Sequence, residues 1–294
     1  MRTFLCIVVL SCLHLPLAVS VQAQTKAYVG NTASPYAAVK NLDMGEVKWT
    51  DGFWKERFDL CQANVIPAQW EYFMERTERN FEIVVNKLNE PFWGSNWMDG
   101  DYYKWLEAQV ATYSITKDPK LLGSIEKRVQ LIARAQAPDG YITMNTQIGF
   151  GTQGGDIDRI KPFKNTTRFA NRGLHETYNM GHLMTLATTH YRVSGSRTLL
   201  DVAIKAADYL DQYFAVITPE LSRLDFNPMH IMGLVELYRS TGNKRHLHLA
   251  QRFVNARGKG GELQNQNKTP LRREREAVGH AVLANVLYIG AADI

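Results

Sequence analysis

The sequence predicts an all-α fold in which helical hairpins stack side by side. Three segments share one layout: a tyrosine ends one helix, a short polar turn follows, and a second amphipathic helix begins. No run of alternating β-branched residues is long enough to indicate a sheet. A hydrophobic content of 45% with 11% aromatic residues indicates a packed globule rather than a disordered chain. Stacked αα-hairpins of this kind form either an open solenoid or a closed toroid.

The three repeats begin at Tyr113, Tyr191 and Tyr238, and Gly195 and Gly242 mark the turn in two of them. Apolar residues recur at helical spacing in the second helix of the second repeat, at Leu199, Val202, Ala203, Ala206 and Leu210. The same spacing appears in the helices that precede the three turns. Those helices are predicted over Tyr103–Tyr113, Leu174–Tyr191 and Met229–Tyr238.

Two more helices are predicted near the ends of the chain, over Trp54–Arg76 and over Glu274–Ile294. Helix counting gives about seven or eight long helices, whereas a closed double-ringed toroid needs about twelve. The sequence therefore predicts either an open array or part of a longer polypeptide.

A long excursion interrupts the regular spacing of the repeats. The first and second repeat tyrosines are 78 residues apart, but the second and third are 47 residues apart. The excess lies in Pro138–Gly173, which is rich in Gly, Asn and Thr and has no helical period. Long irregular segments inside a regular array are usually functional or disordered. Four aromatic residues favour an ordered loop that caps the mouth of a toroid: Tyr141, Phe150, Phe163 and Phe169.

The first 23 residues have the pattern of a secretory signal peptide. A charged start precedes a largely apolar run, and Val21-Gln22-Ala23 offers small residues for cleavage after Ala23. A retained N-terminal anchor is the alternative. We expect residues 24–46 to form a leader and residues 47–294 to form the N-terminal portion of a toroidal catalytic domain in a secreted or periplasmic protein. No later segment reaches about 18 uninterrupted apolar residues, so we expect no membrane span after cleavage.

Charge and cysteine content exclude several classes of site. The formal net charge is only +5, and no basic cluster is interleaved with aromatics as nucleic-acid binding requires. After removal of the signal peptide, Cys61 is the only thiol, so no intramolecular disulfide and no Cys-rich zinc site is expected. A buried, unreactive thiol is the simplest interpretation of Cys61.

The segment "GLHETYNMGHL" begins like the zinc-protease motif H-E-x-x-H, but Asn179 stands where the second histidine is required. Without the i, i+4 histidine pair the zinc chelate is missing. His175, Tyr178 and His182 fall at i, i+3 and i+7, so they share one helical face. Two interpretations remain open. Either His175 contacts a substrate, or these polar residues only make hydrogen bonds near a helix start, where the negative charge of Glu176 suits the helix dipole.

A second candidate site is the segment "SNWMDGDYYKWLEA", which combines aromatic rings and carboxylates around a helix start. Sugars offer C–H faces for stacking and hydroxyls for hydrogen bonds, so Asp101, Trp105 and Tyr178 are possible cleft residues. Alternatively, Asp99 or Asp101 is an N-cap and Trp105 lies in the core. His280 is predicted to lie inside a helix of small and apolar residues. There it is either a core residue whose hydrogen bonds are satisfied or a functional residue that meets His175 across the toroid axis.

Together these motifs resemble glycoside hydrolase family 127, whose characterised members include β-L-arabinofuranosidases. The resemblance extends from about Val47 to Ile294. It rests on several blocks in one order: "GFWKERFDL", "IPAQWEYF", "DYYKWLEA", "AQAPDGYI", "LHETYNMGHL", "GLVELYRSTG" and "REREAVGHAVLANVLYIGAAD". It implies an (α/α)6 toroid followed by β-sandwich modules, of which this chain holds an incomplete toroid.

The resemblance also implies which positions face the sugar: Gln69, His175 and His280. A third histidine usually stands before the proline of the "FNPMHIMGLVELYR" block, where this chain has Asn227. Asparagine keeps hydrogen-bonding capacity but carries no proton or charge. That departure fits a modified sugar in a complex plant polysaccharide, so carbohydrate is the expected partner.

The catalytic groups implied by the resemblance lie C-terminal to the V-G-H-A block. A Cys nucleophile and a Glu acid/base act with retention of configuration, and a zinc with Cys and Glu ligands lowers the pKa of the thiol. The 14 residues after His280 contain neither Cys nor Glu. We therefore expect no catalytic residue and no metal in this chain, zinc in a full-length member, and little or no hydrolysis by this polypeptide. The alternatives are a non-catalytic glycan-binding remnant and a helical-repeat scaffold that binds protein.

Overall fold

The computed structural model describes residues 26–31, 34–153, 161–170, 172–215, 227–258 and 266–294. The α-helices in chain order are α1 Phe53–Leu60, α2 Ile66–Gln69, α3 Glu75–Asn86, α4 Met98–Thr116, α5 Pro119–Ala135, α6 Met144–Ile148, α7 Glu176–Ser194, α8 Thr198–Tyr213, α9 Met229–Thr241, α10 Lys244–Ala256 and α11 Ala281–Ala292. Two strands, β1 Phe150–Gln153 and β2 Lys161–Lys164, form an antiparallel pair. The predicted all-α hairpin fold is confirmed.

The long helices form two layers. Helices α4, α7, α9 and α11 pack against one another in chain order and form the inner layer. Helices α3, α5, α8 and α10 pack in the same order outside them, and α4–α5, α7–α8 and α9–α10 are the three hairpins. Because each inner helix is followed by an outer helix that returns the chain, successive inner helices run in the same direction.

Contacts along the inner layer confirm this parallel arrangement. Near the start of α4, the Gly100 N–H donates to Asn179 Oδ1 near the start of α7, at 2.9 Å. Seven residues further along α4, a carboxylate oxygen of Glu107 accepts a hydrogen bond from the Thr189 hydroxyl of α7 at 2.7 Å. At the other end of the layer, Arg192 of α7 pairs with Glu236 of α9 at 2.6 Å.

Glycines allow the inner helices to approach closely. A Cβ on Gly181 would lie 2.4 Å from the His230 backbone nitrogen, and one on Gly233 would lie 2.7 Å from the Gly181 carbonyl oxygen. The α7–α9 interface therefore brings backbone against backbone, with no room for a methyl group at either position. The apolar core fills the space between the two layers and includes Leu106, Leu183, Leu199, Leu234 and Phe253.

Local sequence signals define the hairpin turns. Asp118 caps α5 by accepting the Lys120 N–H at 2.9 Å, and Asn243 caps α10 by accepting the Arg245 N–H at 3.1 Å. Gly195 and Gly242 end α7 and α9 in the left-handed conformation, at φ 76° and 71°. Glycine adopts this conformation without steric cost, so both helices stop where the sequence predicts.

The long excursion contains more regular structure than expected. It includes the short helix α6, and β1 pairs with β2 in a register that places Phe150 opposite Lys164. Phe92 of the preceding segment forms an isolated bridge with Gly151 and packs its ring against Phe163 at 6.0 Å. The prediction of an irregular loop was wrong here, because elements of four or five residues are too short to give a periodic pattern.

The first predicted helix, Trp54–Arg76, is interrupted by two π-helical turns, at Cys61–Val65 and Trp70–Met74. Neither periodicity nor composition distinguishes a π turn from an α-helix, so the sequence does not reveal these interruptions. No residue from Phe53 to Phe73 is fully buried, and several large apolar side chains in this stretch are exposed. Cys61, the one free cysteine among the described residues, is half-buried here.

The last predicted helix begins later than expected. The structure shows a 3₁₀ turn at Leu271–Arg273 and starts α11 at Ala281, so the prediction of a helix from Glu274 was wrong. Gly279 has a φ of 77°, which a continuous right-handed helix excludes. His280 is the N-cap of α11 rather than a residue inside it, and its Nδ1 accepts the Leu283 N–H at 3.4 Å.

Part of the expected leader is packed against the helices. Arg192, which is buried near the end of α7, donates to the Tyr28 carbonyl oxygen at 2.7 Å. Gly45 lies against the Ser114 carbonyl oxygen near the end of α4. These contacts place the leader at the C-terminal ends of the inner helices. The predicted signal peptide, residues 1–23, lies outside the described residues, and no helix in the described part of the chain is long and apolar enough to cross a membrane.

The close α7–α9 packing generates a first prediction. Gly181→Ala is expected to lower the free energy of unfolding by about 1–3 kcal/mol, because the added methyl group collides with the backbone of α9. The matched control is Gly123→Ala, at an exposed position of α5 where a Cβ meets nothing within 4 Å. That substitution is expected to stabilise by about 0.5–1 kcal/mol. Urea denaturation measures both; two variants of equal stability would contradict the packing described.

Candidate functional site

The predicted site residues cluster at one end of the inner layer. Asp101 lies in the first turn of α4, and His175 immediately precedes α7. Asn227 lies two residues before α9, and His280 caps α11. Because the inner helices run in the same direction, their N-terminal ends face one side of the molecule.

His175 forms the centre of the candidate site. It has a left-handed backbone with φ 55°, and its Nδ1 lies 2.8 Å from the Gly173 carbonyl oxygen. Its ring contacts Trp97 edge to face, with ring centroids 5.1 Å apart. Burial lowers the pKa of His175 below its usual value, so the imidazole is neutral near pH 7. A neutral imidazole beside an indole can exchange hydrogen bonds with an uncharged ligand.

Tyr178 and His182 continue the same face of α7, as the spacing predicts. The Tyr178 ring lies 5.9 Å from the His175 ring and 4.5 Å from the His182 ring, in both cases edge to face. His182 is buried, and burial together with the nearby Lys104 charge lowers its pKa to about 3. It is a neutral packing residue under Tyr178.

Lys104 completes the polar group, although the sequence analysis did not single it out. Its ammonium lies 2.6 Å from the Asp101 carboxylate and donates to the Tyr178 hydroxyl at 3.0 Å. Burial opposes the charge on Lys104, but the Asp101 carboxylate outweighs this effect and raises the pKa of the ammonium. The i, i+3 spacing from Asp101 is the sequence signal that could have identified it.

Asn179 explains why the H-E-x-x-H resemblance is a coincidence. Its side chain is buried, accepts the Gly100 N–H at 2.9 Å and donates to the Asn96 carbonyl oxygen at 2.8 Å. Asn96 in turn donates to the Gly173 carbonyl oxygen at 2.6 Å, next to the segment that carries His175. Asn179 therefore binds the start of α4 to the start of α7, and an amide can both donate and accept as this position requires.

Glu176 connects the site to the long excursion. Its carboxylate accepts the Phe169 N–H, at 2.8 and 3.0 Å for its two oxygens, and also accepts the Tyr141 hydroxyl. Burial raises the pKa of Glu176 to about 7, against the effect of these hydrogen bonds. One of the two interpretations left open gave Glu176 only the role of suiting the helix dipole. The structure shows that it also anchors two points of the excursion.

The alternatives left open for the "SNWMDGDYYKWLEA" segment can now be decided. Neither aspartate is the N-cap of α4; that position is Trp97. Asp99 is buried and accepts the Met144 N–H at 2.7 Å, and burial raises its pKa to about 7. Trp105 lies in the core rather than in the cleft, since it donates to the Ile66 carbonyl oxygen at 3.0 Å and stacks on Trp70.

The structure does not bring Gln69, Asn227 or His280 into contact with His175. Gln69 is exposed at the end of α2. Asn227 is half-buried, and its Oδ1 lacks a hydrogen-bond partner within the described chain. His280 is exposed, and Gly290 of the same helix packs against Ile231 of α9, so about 15 Å of helix separates His280 from that contact. The expected meeting of His280 and His175 across the axis is absent from the described residues.

The zinc implied for a full-length family member finds no ligand set in the described part of the chain. No three His, Cys, Asp or Glu side chains there are grouped so that they could hold a metal ion. Cys61, the only thiol described, has no such group around it. The residues present therefore do not fit the metal, and no chemical step is assigned to it.

Comparison with known proteins identifies related sequences and folds. The profile described as "Beta-L-arabinofuranosidase, GH127 catalytic domain" matches residues 46–294. A non-reducing end β-L-arabinofuranosidase of Bifidobacterium longum subsp. longum is 29% identical, over 83% of this chain and 42% of its own length. Two solved structures are similar: a GH127 β-L-arabinofuranosidase from Geobacillus stearothermophilus T6 and a second GH127 β-arabinofuranosidase.

The first of these structures is 29% identical with a TM-score of 0.71, and the alignment covers 84% of this chain and 41% of the other. The second is 30% identical with a TM-score of 0.70, covering 85% and 39%. This chain therefore spans about two fifths of the length of the relatives it matches. The similarity supports the predicted toroidal class of helical fold.

The anchoring role of Glu176 predicts a pH dependence of stability. Its folded-state pKa of about 7 lies above the ordinary value of 4.5 for a glutamate. The contribution of this carboxyl group to the free energy of unfolding is therefore fully present below pH 4.5 and is lost as the pH rises through 7. Glu176→Gln removes the titration. The free energy of unfolding of the wild-type protein should fall between pH 5 and pH 8 by on the order of 2–3 kcal/mol more than that of the variant.

Urea denaturation at both pH values provides the measurement. Glu56→Gln, at an exposed position of α1, is the control and should follow the wild-type protein. A Glu176→Gln variant with the same pH dependence as the wild-type protein would show that this carboxyl group does not titrate in the expected range.

Proposed function

This chain belongs to the family of GH127 β-L-arabinofuranosidase catalytic domains, and from that premise we propose that it forms the sugar-binding side of a glycosidase site. The proposed substrates are β-L-arabinofuranosides or a related modified sugar of plant polysaccharides. The relatives carry the first of these names, and the sugar is a small, neutral ligand rich in hydroxyl groups.

The observation that carries this proposal is the group formed by Trp97, Asp101, Lys104, His175 and Tyr178 at the starts of two parallel helices. It combines ring surfaces for the C–H faces of a sugar with donors and acceptors for its hydroxyl groups. Asp101 compensates the charge of Lys104 at 2.6 Å, so the group suits an uncharged ligand.

Within this proposal His175 exchanges a hydrogen bond with a sugar hydroxyl, and Trp97 packs against the ring of the sugar. The Nδ1 atom of His175 lies 2.8 Å from the Gly173 carbonyl oxygen, a contact that fixes the orientation of the imidazole ring. Tyr178 supports the same face, with Lys104 fixing its hydroxyl group.

Asn227 is the position at which the proposed substrate can differ from that of the relatives. Its buried Oδ1 lacks a protein partner within the described chain, and such an atom is costly to leave unsatisfied. Because that atom has no accessible surface in this structure, a contact between Asn227 and the sugar is proposed on the family resemblance. Gln69 and His280 are proposed contacts that rest on the family resemblance alone.

The catalytic step is proposed to depend on groups outside the pocket described. No His, Cys, Asp or Glu side chains of the described residues are grouped as a metal site, and the one cysteine described, Cys61, lies in the first π turn. Glu176, the carboxyl group next to His175, is engaged by the Phe169 N–H and the Tyr141 hydroxyl. The part of the protein given by these 294 residues is therefore proposed to bind the sugar without hydrolysing it. Export to the periplasm or the medium is proposed on the signal-peptide pattern of residues 1–23.

Sugar binding by His175 is the first test. His175→Asn should weaken binding of methyl β-L-arabinofuranoside about tenfold, the size of one hydrogen bond and part of a ring contact. Asparagine tolerates the left-handed backbone at this position, so the fold should be retained. His248→Asn, at an exposed position of α10, is the control. Isothermal titration calorimetry gives the dissociation constants, and unchanged affinity in His175→Asn would refute the assignment of the pocket.

Hydrolysis by the same polypeptide is the second test. Purified residues 24–294, incubated with p-nitrophenyl β-L-arabinofuranoside, are expected to release no nitrophenol above the buffer rate. Release that survives in a Cys61→Ser variant and disappears in His175→Asn would contradict the proposal that the catalytic groups lie outside this pocket. The measurement is the absorbance of nitrophenolate over time, with circular dichroism confirming that each variant is folded.

A further inference from the structure

A cluster of aromatic side chains lies where α8 ends and the long excursion returns to α7. Tyr209 and Tyr213 are four residues apart on α8, and their rings stack 6.1 Å apart. Phe169 of the excursion contacts both rings, at 6.3 and 4.5 Å. Phe214 contacts Tyr213 at 4.9 Å. The cluster therefore joins two separate parts of the chain through ring contacts.

Packing accounts for only part of this cluster. Phe169, Phe214 and Tyr141 are buried, at 6%, 4% and 0% exposure, and they supply the apolar contacts that hold the excursion against α8. Tyr213 is 48% exposed, and Tyr209 is half-buried. A large ring that remains half in water on top of a buried aromatic base is available for contact with a ligand.

Arg168 supplies polar groups at the same surface. Its guanidinium lies 4.1 Å from the centre of the Tyr141 ring and 5.3 Å from that of Tyr209, and it forms an ion pair with Asp139. The side chains of Arg168 and Asp139 are 32% and 50% exposed. These ring contacts orient the guanidinium group, so its donors and the Asp139 carboxylate lie beside Tyr209, whose ring stacks on that of Tyr213.

The cluster is joined directly to the His175 site. The Glu176 carboxylate accepts hydrogen bonds from the Phe169 N–H and the Tyr141 hydroxyl, and Glu176 is the residue that follows His175. The outer helix α8 runs opposite to α7, so its C-terminal end, with Tyr213, lies at the same end of the molecule as the start of α7. Both groups therefore belong to one face.

We propose that Tyr213, Tyr209, Arg168 and Asp139 form a second sugar-binding surface, which takes a neutral sugar unit of an oligosaccharide whose end occupies the His175 site. A sugar ring presents a C–H face to a tyrosine ring and neighbouring hydroxyl groups to a donor–acceptor pair. Because Asp139 compensates the charge of Arg168, the surface selects no anion. The choice of a glycan as ligand rests on the proposed function.

The test compares two probes, methyl β-L-arabinofuranoside and a linear arabinofuranosyl tetrasaccharide, by isothermal titration calorimetry. The wild-type protein should bind the tetrasaccharide more tightly than the methyl glycoside. Tyr213→Ala should weaken tetrasaccharide binding about fivefold to tenfold, the size of one aromatic contact, and leave binding of the methyl glycoside unchanged. Tyr213→Phe keeps the ring and should stay close to the wild-type protein. Tyr72→Ala, which removes an exposed ring from the second π turn, is the matched control.

The outcomes separate this surface from the His175 pocket. Equal affinity of the wild-type protein for the two probes, or no binding of the tetrasaccharide, overturns the second surface. A Tyr213→Ala variant that loses both probes equally, or neither, also overturns it. If His175→Asn affects neither probe while Tyr213→Ala weakens tetrasaccharide binding alone, the pocket assignment is wrong and the second surface stands.

Discussion

The contact between Asn179 and Gly100 determines how the candidate site is built. The Gly100 position lacks room for a side chain, since a Cβ there would lie 2.7 Å from the Tyr178 ring and 3.0 Å from Asn179 Oδ1. Because no side chain lies between them, α4 and α7 approach closely. The side-chain amide of Asn179 accepts the Gly100 N–H, which is one of the backbone donors that a helix start leaves without a partner inside the helix. This close approach brings Trp97 of one helix against His175 of the other and allows Lys104 to reach Tyr178.

A second constraint acts through Glu176, because one buried carboxylate serves both the site and the excursion. Its burial disfavours the charge, while the Phe169 N–H and the Tyr141 hydroxyl favour it, and the balance leaves the group titrating near neutral pH. Deprotonation of Glu176 therefore lowers the free energy of unfolding, but it strengthens the hydrogen bonds that Phe169 and Tyr141 donate to the carboxylate. The aromatic surface at Tyr213 packs on Phe169, so this side chain links that surface to the residue that follows His175.

The features that the sequence predicts well are those with local causes. Helical periodicity predicted the hairpins, and Gly195 and Gly242 predicted two of the turns, because a few neighbouring residues determine both. The shared face of His175, Tyr178 and His182 follows from helical spacing alone. The role of Lys104, the burial of Asp99 against Met144 and the break before His280 depend on contacts with distant parts of the chain. The i, i+3 spacing of Asp101 and Lys104 is a local signal for their ion pair, but no local pattern shows which distant residues Lys104 and Asp99 contact.

Packing of the inner layer explains why some of the predicted site residues are in contact with one another and others are not. Helix α7 packs between α4 and α9, and α4 packs between α7 and the short helix α2, so the side chains at the starts of α4 and α7 are brought into contact. The segment that carries Gln69 and the helix that follows His280 lie at the two ends of the described layer. Each leaves large apolar side chains exposed, such as Tyr72 at one end and Ile289 at the other. Each of these elements packs against the layer on one side only, so fewer contacts fix its position than fix the starts of α4 and α7. Gln69 and His280 therefore belong to the elements that have the fewest inner-layer contacts, and the same elements expose apolar surface.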